Sequence, residues 1–585
     1  MILLTSIKDI FTYKEPKTNE GFELLETEYE TDNREGQEDV NSDSGSQQDT
    51  TRAFKSKTPL KAGEWNSAKE KKAQNRKQYA KDTVVPDLKE NIERMKMEFN
   101  ISISKDIIIR EFKVARKTDA FILYIDGMVD KNTINSFILR QLMTPEYFTD
   151  FKEGSVIEYI LDNVLSVNKV IKENKYDKII DYVLNGITAV FIDGCEECMI
   201  IENQGYEKRS IDKPVTEDVI RGAQEGFTEN MHTNITLIRK IIKNKNLITE
   251  IMPVDKTNKT NCAMLYVKGI ANPAVIREVR RRITNLNIDF ISGSGMLEEL
   301  ISDQTLMPFS QIMTTERPDR ASSHIMDGKV ILVIDGVPFI SSIPMSFFET
   351  IHSPEDFFLK WQFSLFLRYL RVFALFVTLL LPGLYGSIIL FHQEMIPTEL
   401  LNSIVKSREN VPFPTMVEII FLEIAFELIR EGGIRVPGVI GNTLGIVGAL
   451  ILGQAAAQAQ LVSPIIIIII AIVGISSFAI PSYSMAFELR LLRFAFILSG
   501  AIAGFYGISV AFVITLGLAS SVKSFGVPYF TPVAPKTKAN PDVISSLTSY
   551  RQKMRPDYVN PVNKYKAGKV TEEWLKGKDG DKNDK

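Results

Sequence analysis

The chain has 585 residues, a formal net charge of −3 and three cysteines. That length exceeds what one hydrophobic core organises, so several domains are expected. Three cysteines exclude a disulfide framework and agree with a reducing compartment. The charges are unevenly spread. Val372–Phe391, Val436–Phe487 and Phe494–Val522 contain no Asp, Glu, Lys, Arg or His. A helix needs about 20 apolar residues to cross about 30 Å of hydrocarbon, so these stretches read as membrane segments.

Residues 1–84 are rich in Glu, Asp, Ser, Gln, Asn and Lys, as in TDNREGQEDVNSDSGSQQDTT, and hold too few apolar groups to offset chain entropy. They are expected to form a disordered polar tail whose basic second half either touches anionic lipid or is simply solvated. MILLTSIKDIF at the start is too short for a signal h-region and lacks a small-residue cleavage site, so the N-terminal region is expected in the cytoplasm.

An α/β pattern follows, and it repeats. ILYIDGMVDKNTINSFILRQL and MLYVKGIANPAVIREVRRRI both read as strand, glycine turn and capped helix, with Gly127 and Gly269 142 residues apart. AVFIDGCEECMII and VILVIDGVPFISSI both read as hairpins, with Gly194 and Gly336 again 142 apart. VIEYIL from Val156 matches MLEELI from Met296 at nearly the same offset. The expectation is two tandem similar α/β subdomains, 85–213 and 214–350, followed by an α-helical polytopic membrane domain over 351–530 and a polar tail over 531–585.

The repeat weakens two tempting motifs. ISGSGMLEELI lacks the third glycine and the acidic residue of a dinucleotide loop, and its counterpart KEGSVIEYIL has no such pattern, so it reads as a structural turn. CEEC, from Cys195 to Cys198, lies in a hairpin turn with no second Cys or His pair nearby, which argues against metal or redox use. The four histidines show no metal-ligand spacing, and no nucleophile and base stand together. No enzyme, cofactor, metal site or nucleic-acid partner is expected.

In the membrane half, Lys360, Arg368 and Arg371 lead into a span over about 372–391, as basic residues do at a cytoplasmic boundary. Pro382 and Gly386 lie inside it as potential kinks. The uncharged stretch from Val436 divides at Ser463-Pro464 into spans over about 440–461 and 464–487, and a last span is expected over 494–520. Gly441, Gly445, Ala449 and Gly453 fall every fourth residue, a small-residue stripe that lets another helix approach. Asn442, Gln454 and Gln458 run beside it and need partners or water. Four spans leave Arg490 and Arg493 across the membrane from Lys360, against the positive-inside trend; a fifth, around Glu423, would change the parity.

That fifth candidate is an amphipathic helix over 413–431. Glu423, Glu427, Arg430 and Glu431 share an arc about 100° wide, with Glu418 roughly opposite. Two readings stay open. The acidic face lines a cation path, together with Gln454 and Gln458, or it is an interfacial or packing helix whose charges meet headgroup water or neighbours.

Several strings, including VIRGAQEGFTENMHTNITLIR from Val219, TTERPDR from Thr314, SPEDFF from Ser353, FHQEMIPTELLNSI from Phe391, FAIPSYSMAFELRLLRF from Phe478 and FGVPYFTP from Phe525, resemble the A subunits of GerA-type spore germinant receptors over residues 90–540. The resemblance implies an inner-membrane protein of the dormant spore in contact with membrane lipid. It implies a transporter-like B subunit and a lipoprotein C subunit as partners, and a pentameric, nutrient-gated, ion-conducting homo-oligomer. A non-conducting scaffold and a relative of the stage V sporulation AF proteins are the alternatives; the long polar N-terminal tail favours the receptor subunit.

Overall fold

The structure, a computed structural model, describes residues 82–151, 154–205, 213–214, 216–435, 453–537 and 552–566. The polar tail before residue 82 and most of the expected span 440–461, including Gly441, Asn442, Gly445 and Ala449, lie outside the described residues. The described chain divides into two units. One takes the residues up to Met97 with Ile107–Gly205, and the other takes Glu98–Asp106 with the residues after Gly205.

Apolar runs broken by glycine turns build one five-stranded sheet in each unit. In the first, β1 (Ile107–Val114), β2 (Thr118–Ile125), β3 (Val170–Glu173), β4 (Thr188–Ile192) and β5 (Cys198–Ile201) are ordered β1-β2-β4-β5-β3. In the second, β6 (Leu247–Pro253), β7 (Asn261–Val267), β8 (Met313–Thr315), β9 (Val330–Ile334) and β10 (Ile340–Ile343) are ordered β6-β7-β9-β10-β8. Every neighbouring pair is antiparallel. The repeat seen in the spacing of glycines is therefore a repeat of topology. Gly127 and Gly269 take φ of 80° and 89°, and Gly194 and Gly336 take 80° and 86°, a region where a Cβ is strained.

Both faces of the second sheet are covered, which is why its central strands β7 and β9 read as near-continuous apolar runs rather than alternating. Met264 and Tyr266 of β7 pack with Val275 and Val279 of α2 (Pro273–Thr284) and with Leu297 of α3 (Ser294–Ile301). Ala263, Leu265 and Val267 point the other way, onto Ile235 and Ile238 of α1 (Met231–Ile241) and Ile325 of α4 (Pro318–Met326). Asp106 joins this unit through a buried fork: Arg239 Nε donates to its Oδ2 at 2.6 Å and Nη2 to its Oδ1 at 3.0 Å. The chain thus visits the second unit at Glu98–Asp106, returns to the first for Ile107–Gly205, and passes over finally after Gly205.

The helical part begins with α5 (Trp361–Phe391), 31 residues and about 46 Å long. α6 (Thr398–Arg408), α7 (Thr415–Arg435), α8 (Pro464–Phe478) and α9 (Tyr483–Ser521) follow. α5 and α9 are each long and apolar enough to cross a membrane, and α8 is a shorter apolar helix. α9 is not one rod. Ala503 and Gly504 leave helical geometry, Gly504 with φ 60°. A Cβ on Gly507 would fall 2.1 Å from the Ser499 carbonyl oxygen, and Leu492 packs in one cluster with Leu518 and Ala519. In a straight helix residues 492 and 519 would stand about 40 Å apart. α9 is a hairpin with an outgoing arm, 483–502, and a returning arm, 505–521, so the stretch expected to cross once over 494–520 goes out and comes back.

The far turn is held by α5. His392, at the end of that helix, stacks on Phe505 at 4.4 Å, and its Nε2 accepts from the Phe505 N–H at 3.5 Å. The near end is held by the α/β unit. Ser310 N donates to Glu488 Oε1 at 2.8 Å, Gln304 Nε2 to the Ser521 carbonyl at 3.3 Å, and Ser524 Oγ to the Gln311 carbonyl at 2.5 Å. Residues 552–566, expected to belong to a polar tail, also return to this unit: Arg555 Nε donates to the Met326 carbonyl at 2.7 Å, and Lys566 Nζ lies 2.8 Å from Asp327 Oδ1. Arg490 and Arg493 therefore lie toward the same end as Lys360, Arg368 and Arg371. The positive-inside conflict does not arise in this arrangement, because α7 adds a helix to the path before these arginines, whereas the turn of the hairpin comes after them.

α5 and the outgoing arm touch backbone to backbone. A Cβ on Gly383 would lie 2.9 Å from the Phe496 carbonyl oxygen, and one on Gly500 would lie 3.0 Å from the Gly383 carbonyl oxygen. Gly383→Val is expected to lower stability in detergent by about 1–3 kcal/mol through overpacking. Gly432→Ala, where a Cβ meets nothing within 4 Å, is expected to leave it unchanged or raise it by up to about 1 kcal/mol. Thermal or chemical unfolding monitored by circular dichroism checks both.

Candidate functional site

The acidic face of α7 is met by cations from the same chain. Glu423 and Glu427 are one helical turn apart, and so are Arg490 and Arg493 on the outgoing arm of α9. Arg493 Nη2 lies 2.8 Å from Glu423 Oε2 and 3.0 Å from Glu427 Oε1, while Arg490 Nη1 lies 3.1 Å from Glu427 Oε2. Arg430 Nη1 is 3.4 Å from Glu427 Oε1, and its Nη2 donates to Ser477 Oγ of α8 at 2.8 Å. Phe426 and Phe478 flank the Arg430 guanidinium at 4.9 and 5.1 Å. Two carboxylates thus face three guanidiniums.

The Glu423–Arg493 pair at its centre is shut off from water and incompletely satisfied. The side chains of Glu423 and Arg493 are 0 % exposed, against 26 % for Glu427. Arg493 sits at ion-pair distance from Glu423 but off the hydrogen-bonding direction, so neither Glu423 oxygen receives a hydrogen bond, and Arg493 Nε and Nη1 find no acceptor. In a low-dielectric setting such a pair attracts strongly and also costs much desolvation.

Glu418, on the opposite side of α7, does structural work. Its Oε2 accepts from the Ser463 N–H at 2.8 Å at the start of α8, and its Oε1 lies 3.3 Å from Arg408 Nη2. With Arg430 bonded to Ser477 at the other end of α8, helices α7 and α8 run parallel. Glu431 is exposed. Gln454 and Gln458 are exposed in the helical residues 453–458, and a Cβ on Gly453 would make ordinary contact with Ile467 at 3.4 Å. The structure brings together Glu423, Glu427 and Arg430 and leaves Glu431, Gln454 and Gln458 facing outward.

Arg490 and Arg493 are the members that sequence reasoning missed, because they looked like a membrane-boundary pair. Other conspicuous motifs resolve into scaffolding. In TTERPDR, Arg317 is buried against the Glu217 and Ala223 carbonyls and Asp319, and Arg320 pairs with Glu217. In SPEDFF, buried Asp356 takes Arg368 Nε at 3.1 Å and Arg371 Nη1 at 2.8 Å. Around CEEC, burial pushes the Cys195 and Cys198 thiols up, away from thiolate chemistry.

Removing one partner of the closed pair strands the other. Arg493→Gln is expected to cost about 3–5 kcal/mol. Glu423→Gln combined with Arg493→Gln is expected to recover more than half of that loss in a double-mutant cycle of unfolding midpoints. Additive losses would mean that the pair is not coupled.

The chain matches the family described as Bacillus/Clostridium GerA spore germination protein over residues 93–558. Spore germination protein KA of Bacillus subtilis (strain 168) is 38% identical over 489 residues, 83% of this chain and 89% of its own length. The uncharacterized membrane protein YfkQ of the same organism is 35% identical over 452 residues, 77% of this chain and 87% of its own. Among solved structures, the crystal structure of the N-terminal domain of the A subunit of the Bacillus megaterium spore germinant receptor GerK3 aligns with a TM-score of 0.36 at 30% identity, covering 44% of this chain and 95% of that one. With its matching region running from the first sheet through the α9 hairpin, the chain belongs to the GerA family of spore germination proteins.

Proposed function

We propose that this chain is the A subunit of a nutrient germinant receptor in the spore inner membrane. It acts beside a transporter-like B subunit and a lipoprotein C subunit, and assembles into a cation-conducting homo-oligomer. Several features support the membrane setting. Phe366, Phe373, Ile475, Ile502 and Val513 are large apolar side chains left exposed on the helices, a surface that suits lipid or another subunit. Trp361, Tyr369 and Tyr483 cluster toward the near ends of α5 and α9, where interfacial aromatics sit. Six crossings fit the helix directions: α5, α7, the expected span 440–461, α8 and the two arms of α9.

The single observation that carries the mechanism is the enclosed Glu423/Glu427–Arg490/Arg493 cluster. Ionisable groups at membrane depth mark functional elements, and this cluster is short of hydrogen-bond partners, so α7 and the outgoing arm have a reason to re-pair when a partner subunit moves. In this reading Glu423 and Glu427 form a latch. Gln454 and Gln458, whose amides need water or a partner in an apolar setting, line the cation path with Glu431.

A scaffold that conducts nothing and only couples the B subunit to a separate channel is the second reading. The neutralisation of Glu423 and Glu427 by arginines favours it, since a selective acidic ring needs uncompensated carboxylates. Purified protein in lipid vesicles separates the two. The channel reading expects a saturable cation flux that falls at least tenfold in a Gln454→Leu, Gln458→Leu variant incorporated to the same level. No flux from the unsubstituted protein, or flux indifferent to those substitutions, contradicts it.

A further inference from the structure

Below the start of α9, where the α/β unit meets the helices, lies a cavity of about 420 Å³. Its walls come from the last turn of α3, the loop after it and the first turn of the outgoing arm. Three carboxylates line it, Glu298, Glu299 and Glu488, and the lining contains no Lys, Arg or His. Phe309, Phe487 and Tyr483 supply apolar surface. The cavity is separate from the ion-pair cluster.

Its acceptors outnumber its donors. Glu488 is 8 % exposed, and among the described residues only its Oε1 receives donors, from the Ser310 N–H at 2.8 Å and the Ser310 hydroxyl at 2.5 Å. Glu298 likewise accepts from the described residues only at Oε1, from Ser341 Oγ at 3.0 Å. Gln304 spends its amide nitrogen on the Ser521 carbonyl, and its Oε1 is buried with no donor at all. The second carboxylate oxygens of Glu298 and Glu488 thus take no donor from the described residues, and an acceptor held without a donor away from water is costly. The carbonyl end of α3 adds negative potential from the same side.

We propose that this cavity binds a primary ammonium group carried on a small apolar body. An ammonium brings three donors and one positive charge, which matches the Glu298 and Glu488 carboxylates, and the aromatic side chains accommodate the hydrocarbon part and the cation face-on. A metal ion is a poorer match, because no group of three His, Cys, Asp or Glu side chains among the described residues is placed to hold one. Burial pushes the Glu298 carboxyl up to about 7 against the opposing Ser341 hydrogen bond, so a cation beside it also removes a standing cost of ionisation. Because Ser310 and Gln304 tie the α/β unit to the two ends of the α9 hairpin, occupancy bears directly on how that hairpin is seated.

The ammonium can belong to a free amine or to an aminophospholipid headgroup, and the site's position beside the near end of the helices makes both accessible. The test uses the full chain in phosphatidylcholine nanodiscs titrated with 2-phenylethylamine by calorimetry. Saturable binding is expected, weakened at least tenfold by Glu488→Gln and by Glu298→Gln, with Glu299→Gln changing it less. Repeating the titration in nanodiscs containing phosphatidylethanolamine distinguishes the sources: a weaker apparent affinity identifies the headgroup as a competing occupant, and an unchanged one identifies the free amine. Unfolding midpoints of the variants show whether they fold. Absence of saturable binding to the unsubstituted protein, or equal binding by a folded Glu298→Gln, Glu488→Gln double variant, overturns the proposal. No step depends on ion conduction, so its failure and that of the channel reading are separable.

Discussion

The helical half depends on the fully enclosed pair formed by Glu423 and Arg493. Opposite charges 2.8 Å apart with no exposed surface attract far more strongly than a surface pair, yet each has surrendered its hydration. The pair therefore contributes less to net stability than to specificity: almost any other packing of α7 against the outgoing arm strands a charge. Glu427 extends the constraint by sharing Arg493 and recruiting Arg490 and Arg430. Once α7 is fixed in this way, Glu418 and Ser477 align α8 beside it.

From that constraint the path of the chain follows. The outgoing arm starts against the α/β unit through Glu488 and Ser310, turns at Ala503 and Gly504 under His392, and returns to the same unit at Ser521 and Ser524. Glycines on α5 and the outgoing arm let the two backbones touch, and the close contact replaces side-chain bulk that other helix pairs use. Movement of the α/β unit is thereby coupled to both ends of one hairpin, and the hairpin's first arm carries the arginines of the buried cluster. This is a mechanical link between an α/β region and a charged element among apolar helices.

Much of the α/β region was legible. A glycine required at positive φ leaves a spacing that survives divergence of the surrounding residues, which is why Gly127, Gly194, Gly269 and Gly336 disclosed two sheets of one topology. Strands buried on both faces read as uninterrupted apolar runs. The α9 hairpin was not legible: Gly500, Gly504 and Gly507 look alike in an uncharged run, and only one of them makes the turn. Arcs on a helical wheel gathered Glu423, Glu427 and Arg430 on one face, but a wheel says nothing of a partner 66 residues away such as Arg493 to Glu427. The crossing at Glu98–Asp106 was hidden for the same reason, since it rests on a pairing with Arg239.

The direction of the chain through the helices is the claim on which the rest stands. It is tested by single cysteines placed at Glu394 in the far turn, Asn258 on the second sheet's unit and Lys564 in the C-terminal segment, in protein with Cys195 replaced by Ser. A membrane-impermeant thiol reagent applied to oriented vesicles is expected to label Asn258→Cys and Lys564→Cys from one side and Glu394→Cys from the other. Labelling of Lys564→Cys from the side that labels Glu394→Cys would contradict the returning arm of α9 and the account built on it.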